Sequence, residues 1–137
     1  MQIRKIGVVV ILHIEIDNQT DTAYTQPVIT DTIDNSLVEF VEKSVTINGG
    51  AADESKYSYN TDTHTLTIDL DDVSPSSKTT VTFLVKKKIN KYFVLRNSCK
   101  LKYNGSLEKQ SNSVMVISPI NKRYGDNNSR STPFWRL

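Results

Sequence analysis

Residues 8–17 read Val-Val-Val-Ile-Leu-His-Ile-Glu-Ile-Asp, the clearest alternation of apolar and polar residues near the start of the chain. Its even-numbered positions are all apolar, whereas its odd-numbered positions become polar from His13 onward. Successive side chains of a β-strand point to opposite faces, so the alternation predicts a strand with one buried face. Arg4 and Lys5, followed by apolar Ile6–Leu12, imitate a signal peptide. No small-residue cleavage site follows them, and the continuing alternation favours the strand.

Similar short extended segments recur about every ten residues as far as residue 117. The alternation is clear in His64–Leu70 and Thr79–Lys86, and the turn-forming sequences Asn48-Gly49-Gly50 and Asn104-Gly105 separate other segments. No convincing amphipathic helix interrupts the series. The sequence therefore predicts an all-β fold: an antiparallel, immunoglobulin-like β-sandwich of about 7–9 strands over residues 1–117.

Residues 118–137 lack this periodicity and are predicted to form a flexible C-terminal extension. This tail carries a net charge of +3, and it ends in the aromatic pair Phe134-Trp135 followed by Arg136. Large aromatic side chains are costly to leave in water. We therefore expect Phe134, Trp135 and Arg136 to make contacts, either with the chain's own sandwich or with a neighbouring subunit in an assembly.

Composition excludes several classes of protein. The chain of 137 residues is 37% hydrophobic and 23% charged, which is typical of an ordinary globular domain. Residues 1–117 contain 13 basic and 14 acidic residues, so they lack the basic excess that nucleic-acid binding requires. Cys99 is the only cysteine, which rules out an internal disulfide. No stretch approaches the roughly 20 apolar residues of a membrane span.

Four segments resemble one family in their order and spacing. Leu12–Asn18 is similar to its opening strand, Ile29–Ile33 to its hydrophobic-x-Asp-x-hydrophobic signature, Leu95–Cys99 to a later Asn-containing motif and Ser111–Val116 to its closing strand. The family is the conserved-repeat immunoglobulin-like domain of bacterial and archaeal surface proteins, known as domain of unknown function eleven. The segment before Gly7 is too short for the family's full leading strand, so either the chain is a fragment or another chain supplies that strand.

A distant similarity to the fimbrial domains of Gram-positive pilins implies one candidate site. Those domains join a Lys to an Asn through an isopeptide bond with help from an acidic residue, and Lys5, Asn97 and Asp31 are the corresponding candidates here. Burial favours a neutral amine and a protonated carboxyl, the forms that this reaction uses. Alternation along the first strand directs Lys5 outward unless Gly7 introduces a bulge, and Lys43 is the alternative lysine. In the simpler interpretation, Asn97 and Asp31 only bond buried backbone near strand ends.

Other chemical signals are weak. Four aspartates could suggest calcium, but their spacing fits a solvated acidic cluster better: Asp62, Asp69, Asp71 and Asp72. His13 and His64 share no ligand spacing with Cys99, which we expect to be a buried core residue. The basic run Lys86–Lys88 either contacts anionic polymers or resists edge pairing. We therefore predict no metal, no cofactor and no enzymatic activity.

The resemblance and the tail together predict a structural module of a microbial cell-surface or spore-surface protein. In this interpretation the chain is a subunit of a self-assembling fibre or appendage and is linked through its termini. Its partners would be further copies of itself or neighbouring domains of the same surface protein. The alternative is an adhesin-type module whose loops at one end of the sandwich recognise a glycan or a host protein.

Overall fold

The structure is a computed structural model that describes residues 9–89, 93–111, 114–118 and 134–137. These residues form thirteen β-strands and one turn of 3-10 helix, Glu54–Lys56. The strands are β1 Val9–Asn18, β2 Val28–Thr32, β3 Val38–Phe40, β4 Thr46–Ile47, β5 Gly50–Ala51, β6 Tyr57–Asn60, β7 Thr65–Asp69, β8 Ser77–Lys87, β9 Phe93–Asn97, β10 Lys100–Tyr103, β11 Leu107–Gln110, β12 Val114–Ser118 and β13 Phe134–Arg136.

The strands form two main sheets and one strand pair. The first sheet has the order β13-β1-β8-β4-β5, and β3 also pairs with β8. The second has the order β11-β10-β2-β7-β6, and β9 pairs with β12 separately. All pairings are antiparallel except that between β1 and β13. The predicted all-β sandwich is confirmed.

The alternation along β1 determines which of its faces is buried. Leu12, Ile14 and Ile16 are at most 1% exposed, and β1 pairs with β8 along its whole length. Residues opposite each other in a ladder share a face, so the facing positions of β8 are buried as well: Thr79, Val81, Phe83 and Val85. The core residues of the two main sheets include Leu12, Ile14, Ile16, Val81, Phe83 and Val85 on one side and Ile29, Leu66, Ile68 and Leu101 on the other.

Local turn chemistry was predicted correctly. Asn48 and Gly49 adopt positive φ angles of 50° and 86°, and Asn104 and Gly105 adopt 52° and 84°. Consecutive residues in the left-handed region are what a tight hairpin requires, and glycine and asparagine adopt it at low cost. These two turns connect β4 to β5 and β10 to β11.

Strand boundaries differ from the prediction where backbone partners change. The sequence from Val94 to Tyr103 predicts one strand. The structure divides it into β9 and β10, and at the break the Cys99 N–H donates to the Ser111 hydroxyl instead of a strand neighbour. Strand β11 was not predicted, because residues 107–110 show no apolar alternation. In the structure its one aliphatic side chain, Leu107, is half exposed. Short strands of two or three residues raise the total above the predicted number.

The C-terminal segment contains a strand that its sequence did not predict. Phe134, Trp135 and Arg136 pair in parallel with His13, Ile14 and Glu15 of β1. Beyond them, the Leu137 N–H donates to the Glu15 carbonyl at 2.9 Å, and the Asp17 N–H donates to the Leu137 carbonyl at 3.2 Å. The end of the tail therefore pairs with the chain's own first strand. The remainder of the predicted flexible extension, residues 119–133, lies outside the described residues.

In the portion of the chain that the structure describes, no helix has the length and apolar character needed to cross a bilayer.

Asn18 ends β1 with a fully buried side chain whose polar atoms are all bonded. Its Nδ2 donates to the carbonyls of Thr22 and Val73 at 2.9 and 3.0 Å, and its Oδ1 accepts from the Thr20 N–H at 3.0 Å. A buried amide in this arrangement replaces the ladder bonds that stop where the strand ends. Asn18 thus fixes the connection that follows β1 against the Val73 loop.

We predict that Asn18→Ala lowers the free energy of unfolding by about 2 kcal/mol or more, because buried backbone groups lose their partners. Asn60→Ala is the matched control, since Asn60 accepts from the Asp62 and Thr63 N–H groups in an exposed turn. Its expected loss is about 1 kcal/mol or less. Urea unfolding of both variants measures the difference. An Asn18→Ala loss no larger than that of Asn60→Ala would contradict the structural role of Asn18.

Candidate functional site

An acidic side chain occupies a core position in β2. Ile29 and Asp31 lie on the same inward face of this strand and are 0% and 1% exposed. Asn97, the last residue of β9, is 5% exposed and faces the same interior. An ionisable group is rarely buried without a charged partner or several hydrogen bonds, so this pair is the first candidate for a functional site.

The two side chains are in direct contact. Asn97 Nδ2 donates to Asp31 Oδ2 at 2.9 Å, and this buried bond joins positions 66 residues apart in sequence. The second carboxyl oxygen, Asp31 Oδ1, is buried and has no hydrogen-bond partner among the described residues. An unpartnered buried oxygen costs about 1–3 kcal/mol, so it calls for a partner or a chemical role.

Burial changes the protonation of Asp31. Loss of hydration raises the pKa of its carboxyl from 3.8 to about 7, and the hydrogen bond from Asn97 offsets only part of that rise. Asp31 is therefore substantially protonated near neutral pH. In that state it can donate a proton as well as accept one, which an ordinary surface aspartate cannot do at this pH.

Cys99 lies close to this pair but has different properties. Burial raises the pKa of its thiol to about 12, with the nearby Asp31 carboxyl as a smaller cause. The thiol is 2% exposed, and its backbone N–H donates to Ser111 Oγ at 2.8 Å. A thiol with so high a pKa is a poor nucleophile, so Cys99 is the core residue that we expected.

A protonated carboxyl hydrogen-bonded to a carboxamide provides two of the three groups of the predicted isopeptide site, the acid and the amide. The structure brings Asp31 and Asn97 together, whereas Lys5 lies outside the described residues. Lys43, the alternative lysine, is three-quarters exposed and pairs with Glu54 at 3.6 Å. It is therefore not placed for the reaction.

The remaining candidate residues have ordinary partners. Lys56 Nζ lies 3.4 Å from Asp71, and Asp72 accepts from the Gln26 N–H at 2.9 Å. The four aspartates do not converge, and no group of three metal-ligating side chains occurs among residues 9–89, 93–111, 114–118 and 134–137. His64 Nδ1 lies 3.1 Å from the Tyr59 hydroxyl.

The basic run is dispersed in the structure. Lys88 Nζ donates to the Asn35 carbonyl at 2.7 Å, and Lys87 Nζ lies 5.6 Å from the centre of the Phe93 ring. Both lysines thus contact their own domain. The aromatic tail residues Phe134 and Trp135 are placed by their backbone pairing with β1.

Sequence reasoning missed a cleft at one end of the sandwich, beside the Asn104-Gly105 turn. The turn itself was predicted, but the loop around Gln26 comes from a different part of the chain. In the structure, the hydrogen bonds between Thr25 and Asn104 and the pairing of Val28 with Lys102 make the two segments neighbours. No local sequence pattern encodes that contact.

Solved structures with the same fold are bacterial surface proteins. Domains D2 and D3 of the major pilin SpaD from Corynebacterium diphtheriae match with a TM-score of 0.54 and 22% identity, covering 74% of this chain and 43% of that one. BcpA, the major pilin subunit of Bacillus cereus, matches at 0.51 with 17% identity, covering 84% and 41%. The collagen-binding domain of a Staphylococcus aureus adhesin matches at 0.50 with 10% identity, covering 85% and 98%. The chain has the fold of pilin and adhesin domains.

This similarity concerns the fold, since the chain spans less than half the length of the two pilin structures. No protein-family model matches the sequence, and no curated protein matches it significantly. The predicted likeness to fimbrial domains is therefore confirmed at the level of fold, whereas the assignment to the conserved-repeat family is not.

We predict that stability falls as the pH rises from about 4 to about 7. The folded-state pKa of Asp31 lies above its ordinary value of 3.8, so the native state binds an additional proton in this window. A shift of this size corresponds to roughly 4 kcal/mol of unfolding free energy. Asp31→Asn keeps the shape of the side chain but cannot titrate, so it should abolish this slope.

Urea unfolding at a series of pH values measures the slope for each variant. Asn60→Ala is the control, because it changes an exposed turn, leaves Asp31, Asn97 and Lys5 in place and should keep the slope of the parent protein. An Asp31→Asn variant with the parent's slope would show that Asp31 is not the titrating group.

Proposed function

We propose that this chain is a non-enzymatic structural module of a cell-surface fibre, stabilised by an internal isopeptide bond between Lys5 and Asn97. The observation that carries this proposal is the buried bond between Asp31 and Asn97 inside a pilin-like sandwich. A protonated acid beside a carboxamide is the arrangement that amide exchange requires. The unpartnered Asp31 Oδ1 leaves a position for the amine that completes the site.

The reaction balances without any cofactor. The neutral amine of Lys5 attacks Asn97 Cγ, a new C–N bond forms, and the bond from Cγ to Nδ2 breaks. The departing nitrogen gains a proton and leaves as ammonia, while the lysine nitrogen loses one. Asp31 contacts the departing nitrogen at 2.9 Å, so its carboxyl is placed to deliver the proton that leaving requires.

The strand register sets a condition for this bond. Leu12, Ile14 and Ile16 face the core, whereas Val9 and Ile11 are nearly half exposed. Lys5 is an odd-numbered position like Val9 and Ile11, so regular alternation would direct it outward. An inward Lys5 therefore needs one extra residue in the backbone between residue 5 and β1. Gly7 is the residue at which a one-residue bulge is least costly.

A cross-link at this position suits a subunit under tension. It joins the segment preceding β1 to the end of β9, so a force applied near the N-terminus reaches a covalent bond before it separates the strands. A single cysteine excludes an internal disulfide, which leaves the isopeptide as the covalent reinforcement consistent with this sequence.

We predict that a tryptic digest of the parent protein contains one branched peptide in which Lys5 is joined to Asn97. Lys5→Met and Asp31→Ala should both lack it, the first for want of the amine and the second for want of the acid. Tandem mass spectrometry identifies the joined residues. Unmodified peptides carrying Lys5 and Asn97 in the parent protein, or a branch at another lysine, would contradict the assignment.

The second part of the proposal concerns assembly through the C-terminal strand. Strand β13 holds only three residues and pairs with β1 at its edge. The 15 residues between Ser118 and Phe134 could span at most about 50 Å if extended, enough to reach the β1 edge of an adjacent copy. We propose that subunits exchange this strand, and that Phe134, Trp135 and Arg136 are the assembly contacts.

Charge favours this exchange. The tail has a net charge of +3, whereas residues 1–117 carry one more acidic than basic residue. A basic tail docking on a slightly acidic body is attracted at low salt. The partner is accordingly a second copy of this chain or a neighbouring domain of the same type, not a nucleic acid. The proposed location is the cell surface, and the similar pilins and adhesin give no support to the spore surface.

We predict concentration-dependent oligomers that are lost when residues 134–137 are deleted, because the deletion removes β13. Multi-angle light scattering over a range of protein concentrations measures the mass. The triple alanine variant at Phe134, Trp135 and Arg136 keeps the chain length and should weaken assembly. A parent protein that is monomeric throughout, or oligomers that survive the deletion, would contradict strand exchange.

A further inference from the structure

A cleft of about 400 Å³ lies at the end of the five-stranded sheet. The loop before β2, the end of β7 and the β10–β11 turn form its walls. Its lining residues are Gln26, Pro27, Val28, Asp69, Leu70, Lys102, Tyr103 and Gly105. These come from three separate segments of the chain, so the fold has to be complete before the cleft exists.

Two walls of the cleft are fixed to each other. Asn104 Oδ1 accepts from the Thr25 N–H at 2.7 Å and from Thr25 Oγ1 at 2.9 Å. In return the Asn104 N–H donates to the Thr25 carbonyl at 2.9 Å, and the Leu70 N–H donates to the Pro27 carbonyl at 2.9 Å. A binding site whose walls are already ordered avoids much of the entropy cost of binding.

Gln26 is held in a strained conformation at the rim. Its φ of 49° lies in the left-handed region, which costs a non-glycine residue about 1 kcal/mol or more. The Asp72 carboxylate holds it there by accepting the Gln26 N–H at 2.9 Å. Strain that neighbouring groups maintain is often found where a side chain must be aimed at a ligand.

Polar groups face each other across an apolar floor. In the sheet register Val28 lies opposite Asp69 on one side and Lys102 on the other. The backbones of Asp69 and Lys102 are therefore two strand spacings apart, about 10 Å. Asp69, Lys102 and Gln26 are exposed, and none of their side chains bonds another described residue.

The chemistry of this lining matches a sugar ring. Asp69 accepts hydrogen bonds, Lys102 donates them and the Gln26 amide does both. Val28 and the half-buried Tyr103 ring supply apolar surface for the C–H face of a pyranose. The opposite charges of Asp69 and Lys102 compensate each other, which favours a neutral ligand over a phosphate or an acidic polymer.

We propose that this cleft binds one neutral hexopyranose residue of a glycan. The ring lies over Val28, with hydroxyl groups directed to Asp69 on one side and to Lys102 on the other. The site does not involve Asp31, Asn97 or β13, so this proposal is independent of the cross-link and of subunit assembly.

The test is a titration of the 137-residue chain with lactose, cellobiose, maltose and chitobiose, monitored by two-dimensional amide NMR. The expected result is saturable shifts at Gln26, Val28, Leu70 and Gly105 with at least one disaccharide. Lys102→Ala should weaken that binding about tenfold, the effect of losing one hydrogen bond from a charged group. Lys100→Ala is the matched control, because Lys100 lies on the same face of β10 but opposite Thr30, outside the cleft.

Three results would overturn the proposal. The first is the absence of cleft shifts with all four sugars, and the second is equal weakening by Lys100→Ala and Lys102→Ala. The third is stronger cleft binding of a sulfated heparin disaccharide than of every neutral sugar. Amide spectra of the free variants establish that each remains folded, since both lysines are exposed.

Discussion

A carboxyl group buried between β-sheets needs a partner for each of its oxygen atoms, and Asp31 has one described partner for two oxygens. The surrounding core consists of aliphatic side chains that offer no polar atoms, including Ile29 and Leu66. The cost of this arrangement explains the raised pKa of Asp31 and its preference for the protonated state. A fold that retains such a residue either gains chemistry from it or contains a further partner. The proposed cross-link would supply both, because it would bring the Lys5 amine beside the same carboxyl.

The sequence predicted the sandwich because its determinants are local. Alternation in β1 and β8 identifies the buried faces, and Asn48-Gly49 and Asn104-Gly105 identify two of the turns. The Asp31–Asn97 pair was named only through a resemblance, since 66 residues separate the two and no periodicity connects them. Strand β13 and the cleft were not predicted. Both depend on pairing between segments that are distant in sequence. Such pairing is determined by contacts in the folded state and not by the local propensity of either segment.

The proposed functions use different regions of one scaffold. The cross-link would act between the segment before β1 and the end of β9, and strand exchange would act at the outer edge of β1. The cleft lies on the other main sheet, among β2, β7 and β10. A sandwich separates these sites because the outer faces of its two packed sheets point in opposite directions. A module of this kind can be reinforced, linked and used for binding without one role disturbing another.

The claim that Lys5 and Asn97 are covalently joined is tested by the intact mass of the denatured protein. The cross-linked protein should have a mass about 17 Da below that calculated from the sequence, the loss of one ammonia. Asp31→Ala should show no deficit from its calculated mass, because the acid that assists the reaction is gone. A parent protein with the full calculated mass would contradict the claim.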